Sequence, residues 1–322
     1  MTKLERIITT STPVSFVREK SKSLILPGFA GVPLYDAVTF YNKEVRKTSL
    51  NTRAKSISFD FAMAIPAVLI CIFTLIPYMP ISKQFTKELL RLTRNITPNQ
   101  SSYNFVNSFL QDFLNTPRVG LLSFSFLLVM FYASNAMLSV IRTFDTAIYK
   151  EKRKANFIRK RIKAIKLTMV VLGLFIGTIL LSIGQGMLFN FIMKSIKIKG
   201  SDVTLISLLR WLITISLFFY SISYIYRYAP SVKKRWPLIT PGSILATFLT
   251  LATTAIFSFW VNHFNNFNKI YGSLGTIMIL MLLIYLNSLI LLIGFELNLS
   301  ITILKNQREK KERINHIKSK LI

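Results

Sequence analysis

The sequence predicts an all-α integral membrane protein, a bundle of six transmembrane helices with both termini in the cytoplasm. Three observations predict it. Hydrophobic residues make up 52% of the 322 residues, and mean hydropathy is +0.46, more apolar than a soluble domain of this size. The apolar residues fall in separate runs, each near the roughly 20 residues that cross a bilayer core of about 30 Å. Finally, Lys and Arg are unevenly shared between the connecting segments. Of the 41, the proposed inner segments (1–55, 142–166, 227–241 and 305–322) carry 31 and the outer ones (79–117, 193–202 and 264–272) carry 8. Basic residues stay on the cytoplasmic side, so this bias sets the orientation. The formal net charge of +28 has the same origin, and no nucleic-acid partner is expected from it.

Residues 1–55 form a cytoplasmic segment. No apolar run of signal-peptide type occurs in residues 1–30, so the first span is expected to act as the insertion signal. Leu34–Lys47 mixes apolar and basic residues and predicts a short helix along the inner membrane surface. The transmembrane domain, 56–304, begins with the span Ile57–Tyr78. Pro66 near its middle deprives the Ala62 carbonyl of its helical donor, which predicts a bend or an unwound turn. Asp60 lies near the inner end of this span. A polar outer loop, 79–117, leads to the second span, Val119–Ile141, which carries Asn135. Arg142 and Asp145 follow at a spacing that lets them pair.

The third span, 167–192, holds Gly184-Gln185-Gly186 in its outer half. Ser201-Asp202 supplies cap residues for the fourth, 203–226, which contains Arg210 and ends at Arg227. Thr240-Pro241 is a cap followed by proline at the first helical position and starts the fifth span, 242–263. The sixth, 273–303, organises the rest. From Tyr271 to Ile303 its one charge is Glu296. At 100° per residue Asn287, Gly294 and Asn298 share one face, and Tyr285 and Glu296 share the opposite one. Polar groups turn away from lipid, so this helix is expected to have protein on both sides. Residues 305–322 form a basic, solvated helical tail.

By these residues the chain resembles the YihY/BrkB group of bacterial inner-membrane proteins, once labelled ribonuclease BN. The resemblance runs from about Tyr35 to Ile303. It is carried by ISFDFAMAIPAVLICIFTLIPY, by TPRVGLLSFSFLLVMFYASNAMLSVIRTFD, and most strongly by TPGSILATFLT with YGSLGTIMILMLLIYLNSLILLIGFELN. Asn287 departs from the smaller or apolar residue expected there. The resemblance implies six spans in the bacterial inner membrane and no assigned activity.

The residue inventory disfavours an enzyme. Metal-assisted hydrolysis needs clustered His, Asp or Glu, whereas His263 and His316 are expected on opposite sides of the membrane. No nucleotide-binding or hydrolase motif is present. The lone cysteine, Cys71, allows no intrachain disulfide. No catalytic, metal or cofactor site is expected.

The candidate residues are instead intramembrane polar groups. Glu296, with Arg142, Arg227 and Asp60 at its depth, forms either a buried ion-pair clasp or a proton or substrate site. Arg210 either snorkels to lipid phosphate or lines an outer cavity with Gln185. Asn135 and Asn287 read first as interhelical hydrogen-bonding groups. Three functions follow. One is transport or flipping of an anionic amphiphile or envelope lipid. Another is a non-transporting scaffold in envelope assembly, and the disfavoured third is a ribonuclease. Expected partners are anionic lipids at the basic loops, a second copy of the chain, or envelope proteins.

Overall fold

The computed structural model describes residues 19–25, 27–47, 49–78, 118–148, 157–183, 203–232, 235–263 and 273–321, with isolated positions between 100 and 111. Every regular element among the described residues is helical. Helix α1 (Leu34–Lys47) is followed by α2 (Leu50–Leu75), which tightens into a 3-10 turn at Ile76–Tyr78. Then come α3 (Val119–Ile148), α4 (Phe157–Ile183), α5 (Val203–Tyr228), α6 (Pro241–His263) and α7 (Ser273–Leu321).

The long helices close into a ring in chain order. α2 packs on α3, α3 on α4, α4 on α5, α5 on α6 and α6 on α7, and α7 returns to α2. α1 lies against α7. Successive helices run antiparallel where contacts report direction. Arg53 at the start of α2 reaches Thr143 near the end of α3, and Thr74 near the end of α2 meets Ser125 near the start of α3.

α2, α3, α6 and α7 are long and apolar enough to cross a membrane over their described residues. Large apolar side chains stand exposed along the bundle, among them Phe59, Phe124, Leu127, Ile176, Trp211, Phe248, Ile256 and Met278. Such a surface suits lipid, where apolar residues carry no penalty for pointing outward. The buried core concentrates at one end of the bundle, where Phe144 of α3 stacks face to face on Phe295 of α7 at 3.8 Å between ring centroids. Tyr226 and Trp236 pack around that stack.

α2 stays helical through Pro66, which is exposed, so of the expected bend or unwound turn the unwound turn is absent. The helices are longer than the apolar segments. α2 begins at Leu50, α3 continues to Ile148, and α7 extends through the basic tail to Leu321 as one helix of 49 residues. That length, about 70 Å, exceeds what a bilayer needs. The residues after Asn306 are accordingly exposed as far as they are described.

The start of α6 shows why Thr240-Pro241 opens a helix. Thr240 Oγ1 accepts from the Ser243 backbone N–H at 3.1 Å, and Ser243 Oγ accepts from the Thr240 N–H at 3.0 Å. This reciprocal pair satisfies donors that the first helical turn leaves free. Leu34–Lys47 is helical over the expected residues. The Ser201-Asp202 cap, Gly184-Gln185-Gly186 and almost all of the outer loop lie outside the described residues.

Candidate functional site

Polar side chains gather at the end of the bundle built from the starts of α2, α4 and α6, the ends of α3 and α5, and the lower half of α7. Glu296 is its most enclosed charge, 3% exposed. Arg53 Nη1 donates to Glu296 Oε1 at 2.8 Å, and Nη2 donates to the Thr143 carbonyl at 2.6 Å. Arg53 thus ties α2, α3 and α7 together. The expected partners of Glu296, Arg142 and Arg227, do not fill this role. Arg142 lies over the Phe157 ring and Arg227 over Tyr228, and the Arg227 Nε is buried without a hydrogen-bond partner. Arg53 takes the place because α2 begins seven residues before its apolar run and so carries a cation down to the level of Glu296. The Tyr285 hydroxyl, on the same face of α7, donates to Asn51 at 2.6 Å. Burial, and then the Glu296 charge nearby, push the Tyr41 phenol on α1 above its usual value of 10.0.

A second ionic group joins α3, α4 and the α5–α6 link. Asp145 pairs with Lys160 at 2.7 Å and accepts from the backbone N–H and hydroxyl of Ser231 at 2.9 and 3.1 Å. Asp145 therefore does not pair with Arg142: three donors from other elements outcompete one exposed neighbour on its own helix. Lys163 Nζ donates to the carbonyls of Ala229 and Pro230 at 2.8 and 3.1 Å. These sit at the C-terminal end of α5, where a cation is favoured by the helix dipole. Burial pulls the Lys163 ammonium below its usual value, opposed by the Asp145 charge and assisted by Lys160 and Arg235.

A third group locks α6 to α7. Asn298 Oδ1 accepts from the Gly242 N–H at 2.9 Å, and its Nδ2 donates to Thr240 Oγ1 at 3.0 Å. Asn298 thereby caps α6 from a neighbouring helix. The two backbones nearly touch here. A Cβ on Gly242 would lie 2.0 Å from the Gly294 carbonyl oxygen, and one on Gly294 would lie 2.4 Å from the Tyr226 hydroxyl oxygen. Only glycine permits that approach.

α7 has protein on both sides, as its pattern predicts: Tyr285 and Glu296 meet α2, while Gly294 and Asn298 meet α6. Asn287 is half satisfied. It donates to the Leu283 carbonyl on its own helix, and its Oδ1 is buried without a partner.

Two cavities open at this end. One of about 630 Å³ is bounded by Arg235, Trp236, Asn298, Thr302, Lys305 and the Gly28–Ala30 turn. The other, about 410 Å³, lies between α2, α3 and α4 and brings together Asp60, Asn135 and Arg142 from the candidate set with Arg161. Gln185 lies outside the described residues, as does the side chain of Arg210. Sequence reasoning passed over Arg53, Lys160, Arg161 and Lys163. They sit in basic stretches that read as orientation signal, and the one available cue was their nearness to the helix starts.

Among the described residues no group of three His, Cys, Asp or Glu stands together. The model of the virulence factor BrkB family matches residues 42–317. A Bacillus subtilis (strain 168) protein described as a putative ribonuclease-like protein, YfkH, is 26% identical over 247 residues, covering 77% of this chain and 88% of its own length. No solved structure matches the chain. With apolar helices, a lipid-compatible surface and a family match over most of its length, the chain is a membrane protein that belongs to the virulence factor BrkB family.

Proposed function

We propose that the chain spans the bacterial cytoplasmic membrane six times, with both termini inside, and transports or flips an anionic amphiphile rather than acting as an enzyme. The observation that carries this reading is the Arg53–Glu296 pair. A buried ion pair is weak evidence of stabilisation, because desolvation offsets most of its attraction. An enclosed acid in a membrane helix is a functional candidate by default. This pair also sits where the ring of helices closes, between its first and last long members. Parting α2 from α7 would break this ion pair and the Tyr285–Asn51 hydrogen bond and open the bundle at the inner end. The Phe144–Phe295 stack beside it closes the same level.

The test is lipid translocation in proteoliposomes. A fluorescent phosphatidylglycerol analogue, quenched from outside by dithionite, should cross faster with the wild-type chain than in protein-free vesicles. Glu296→Gln should abolish the gain. Wild-type vesicles no faster than protein-free ones overturn the reading. The packed aromatic stack favours the second reading, a non-transporting scaffold for envelope proteins. The ribonuclease reading is disfavoured, because Glu296 and Asp145 are both engaged by cations.

A further inference from the structure

The 410 Å³ cavity between α2, α3 and α4 is separate from the Arg53–Glu296 closure and holds a different arrangement of charge. Two guanidinium groups line it, those of Arg142 on α3 and Arg161 on α4. Each lies over an aromatic ring: Arg142 is 5.6 Å from the Phe157 centroid, and Arg161 is 5.2 Å from that of Phe131. Both rings are more than half exposed. Arg161 is further held by a hydrogen bond to Asn135 Oδ1. Asp60 of α2 lines the same space. Among the described residues neither Asp60 nor Arg142 has an ion-pair partner. Opposite charges that share a cavity without meeting leave room between them for a group that is itself of both signs.

The level of the cavity narrows the choice. Asp60 lies three residues inside the apolar run of α2, and Phe157 and Arg161 precede the apolar run of α4. This is the depth of the inner-leaflet headgroups, where basic pockets between membrane helices take lipid phosphates. Exposed aromatic rings at the rim suit the adjoining acyl region. Arginine is the side chain best shaped for phosphate. An anionic headgroup would answer the two arginines and leave Asp60 repelled. We infer that this cavity binds the headgroup of an amine-bearing phospholipid of the inner leaflet, its phosphate on Arg142 and Arg161 and its primary ammonium on Asp60. Phosphatidylethanolamine has this chemistry.

Native mass spectrometry of the full chain in detergent, with phosphatidylethanolamine, phosphatidylglycerol and phosphatidylcholine supplied in equal amounts, tests the site. The wild-type chain should retain phosphatidylethanolamine preferentially. Asp60→Asn should lower its retention relative to phosphatidylglycerol by about fivefold, the upper end for a part-exposed ion pair. Arg142→Gln should lower retention of both. Both side chains are partly exposed, and a cooperative thermal melt of each variant checks that it is folded. Equal retention of the three lipids by the wild type overturns the proposal, as does an unchanged ratio in Asp60→Asn. Competition by soluble phosphoethanolamine at lipid-equivalent concentration overturns the assignment to a lipid.

Discussion

Glu296 and Arg53 should respond unequally to loss of their partner. The side chain of Glu296 is 4% exposed and that of Arg53 13% exposed. Breaking a buried pair typically costs about 3–5 kcal/mol, because the remaining charge is left uncompensated. Glu296→Gln leaves Arg53 with the Thr143 carbonyl and some access to solvent. Its cost should fall near the lower figure. Arg53→Gln strands a carboxylate that has no other ion-pair partner among the described residues and also removes a hydrogen bond to the Thr143 carbonyl, so its cost should fall near the upper figure. The double substitution places two neutral amides face to face and should cost less than the sum, by a coupling of about 3 kcal/mol. Equilibrium unfolding in mixed micelles, followed by tryptophan fluorescence, measures all three, since Trp236 lies in the same core. Costs that add in the double variant, or a larger cost for Glu296→Gln than for Arg53→Gln, would refute the reasoning.

Gly294→Ala should destabilise by about 3 kcal/mol, the upper end for overpacking, because the new methyl meets the Tyr226 hydroxyl, the Gly242 carbonyl and Ala246 within 2.9 Å. A wild-type unfolding midpoint would show that the α6–α7 crossing yields. Reporter fusions after Lys83, Lys163, Lys199 and Lys234 should read out, in, out and in, and any reversal defeats the six-span orientation. The raised Tyr41 phenol predicts a loss of stability at alkaline pH. Both states are neutral below about pH 10, but above it the unfolded phenol ionises while the folded one resists, so stability falls as pH rises. Tyr41→Phe should flatten that alkaline limb, and an unchanged limb assigns it to other groups.

The family was legible in the sequence because its signatures are contiguous, such as TPGSILATFLT and the run around Glu296. Helix positions were legible for the same reason. Apolar runs mark where a chain meets lipid, and Thr240-Pro241 satisfies its own first-turn donors locally. The two-sided character of α7 followed from its 100° periodicity alone. The limits of the helices did not follow, because polar residues extend a helix beyond the lipid-facing run once neighbouring helices hold them.

Ion-pair partners are the part that only the tertiary structure decided. Depth along a helix is readable from sequence, and it named Arg142 and Arg227 as neighbours of Glu296. Azimuth relative to other helices is not, since it depends on how six cylinders pack at once. That packing turns Arg142 toward Phe157 and the lateral cavity and brings Arg53, 243 residues away in the chain, onto Glu296. It likewise converts Lys160, Arg161 and Lys163 from a charge run into specific donors. Gly242 and Gly294 become a backbone contact only when α6 and α7 cross. Composition and periodicity determine that this chain enters a membrane and which faces of its helices turn inward. Which charge meets which is set by long-range packing, because an unpaired charge inside the bundle costs more than any local preference of the chain can recover.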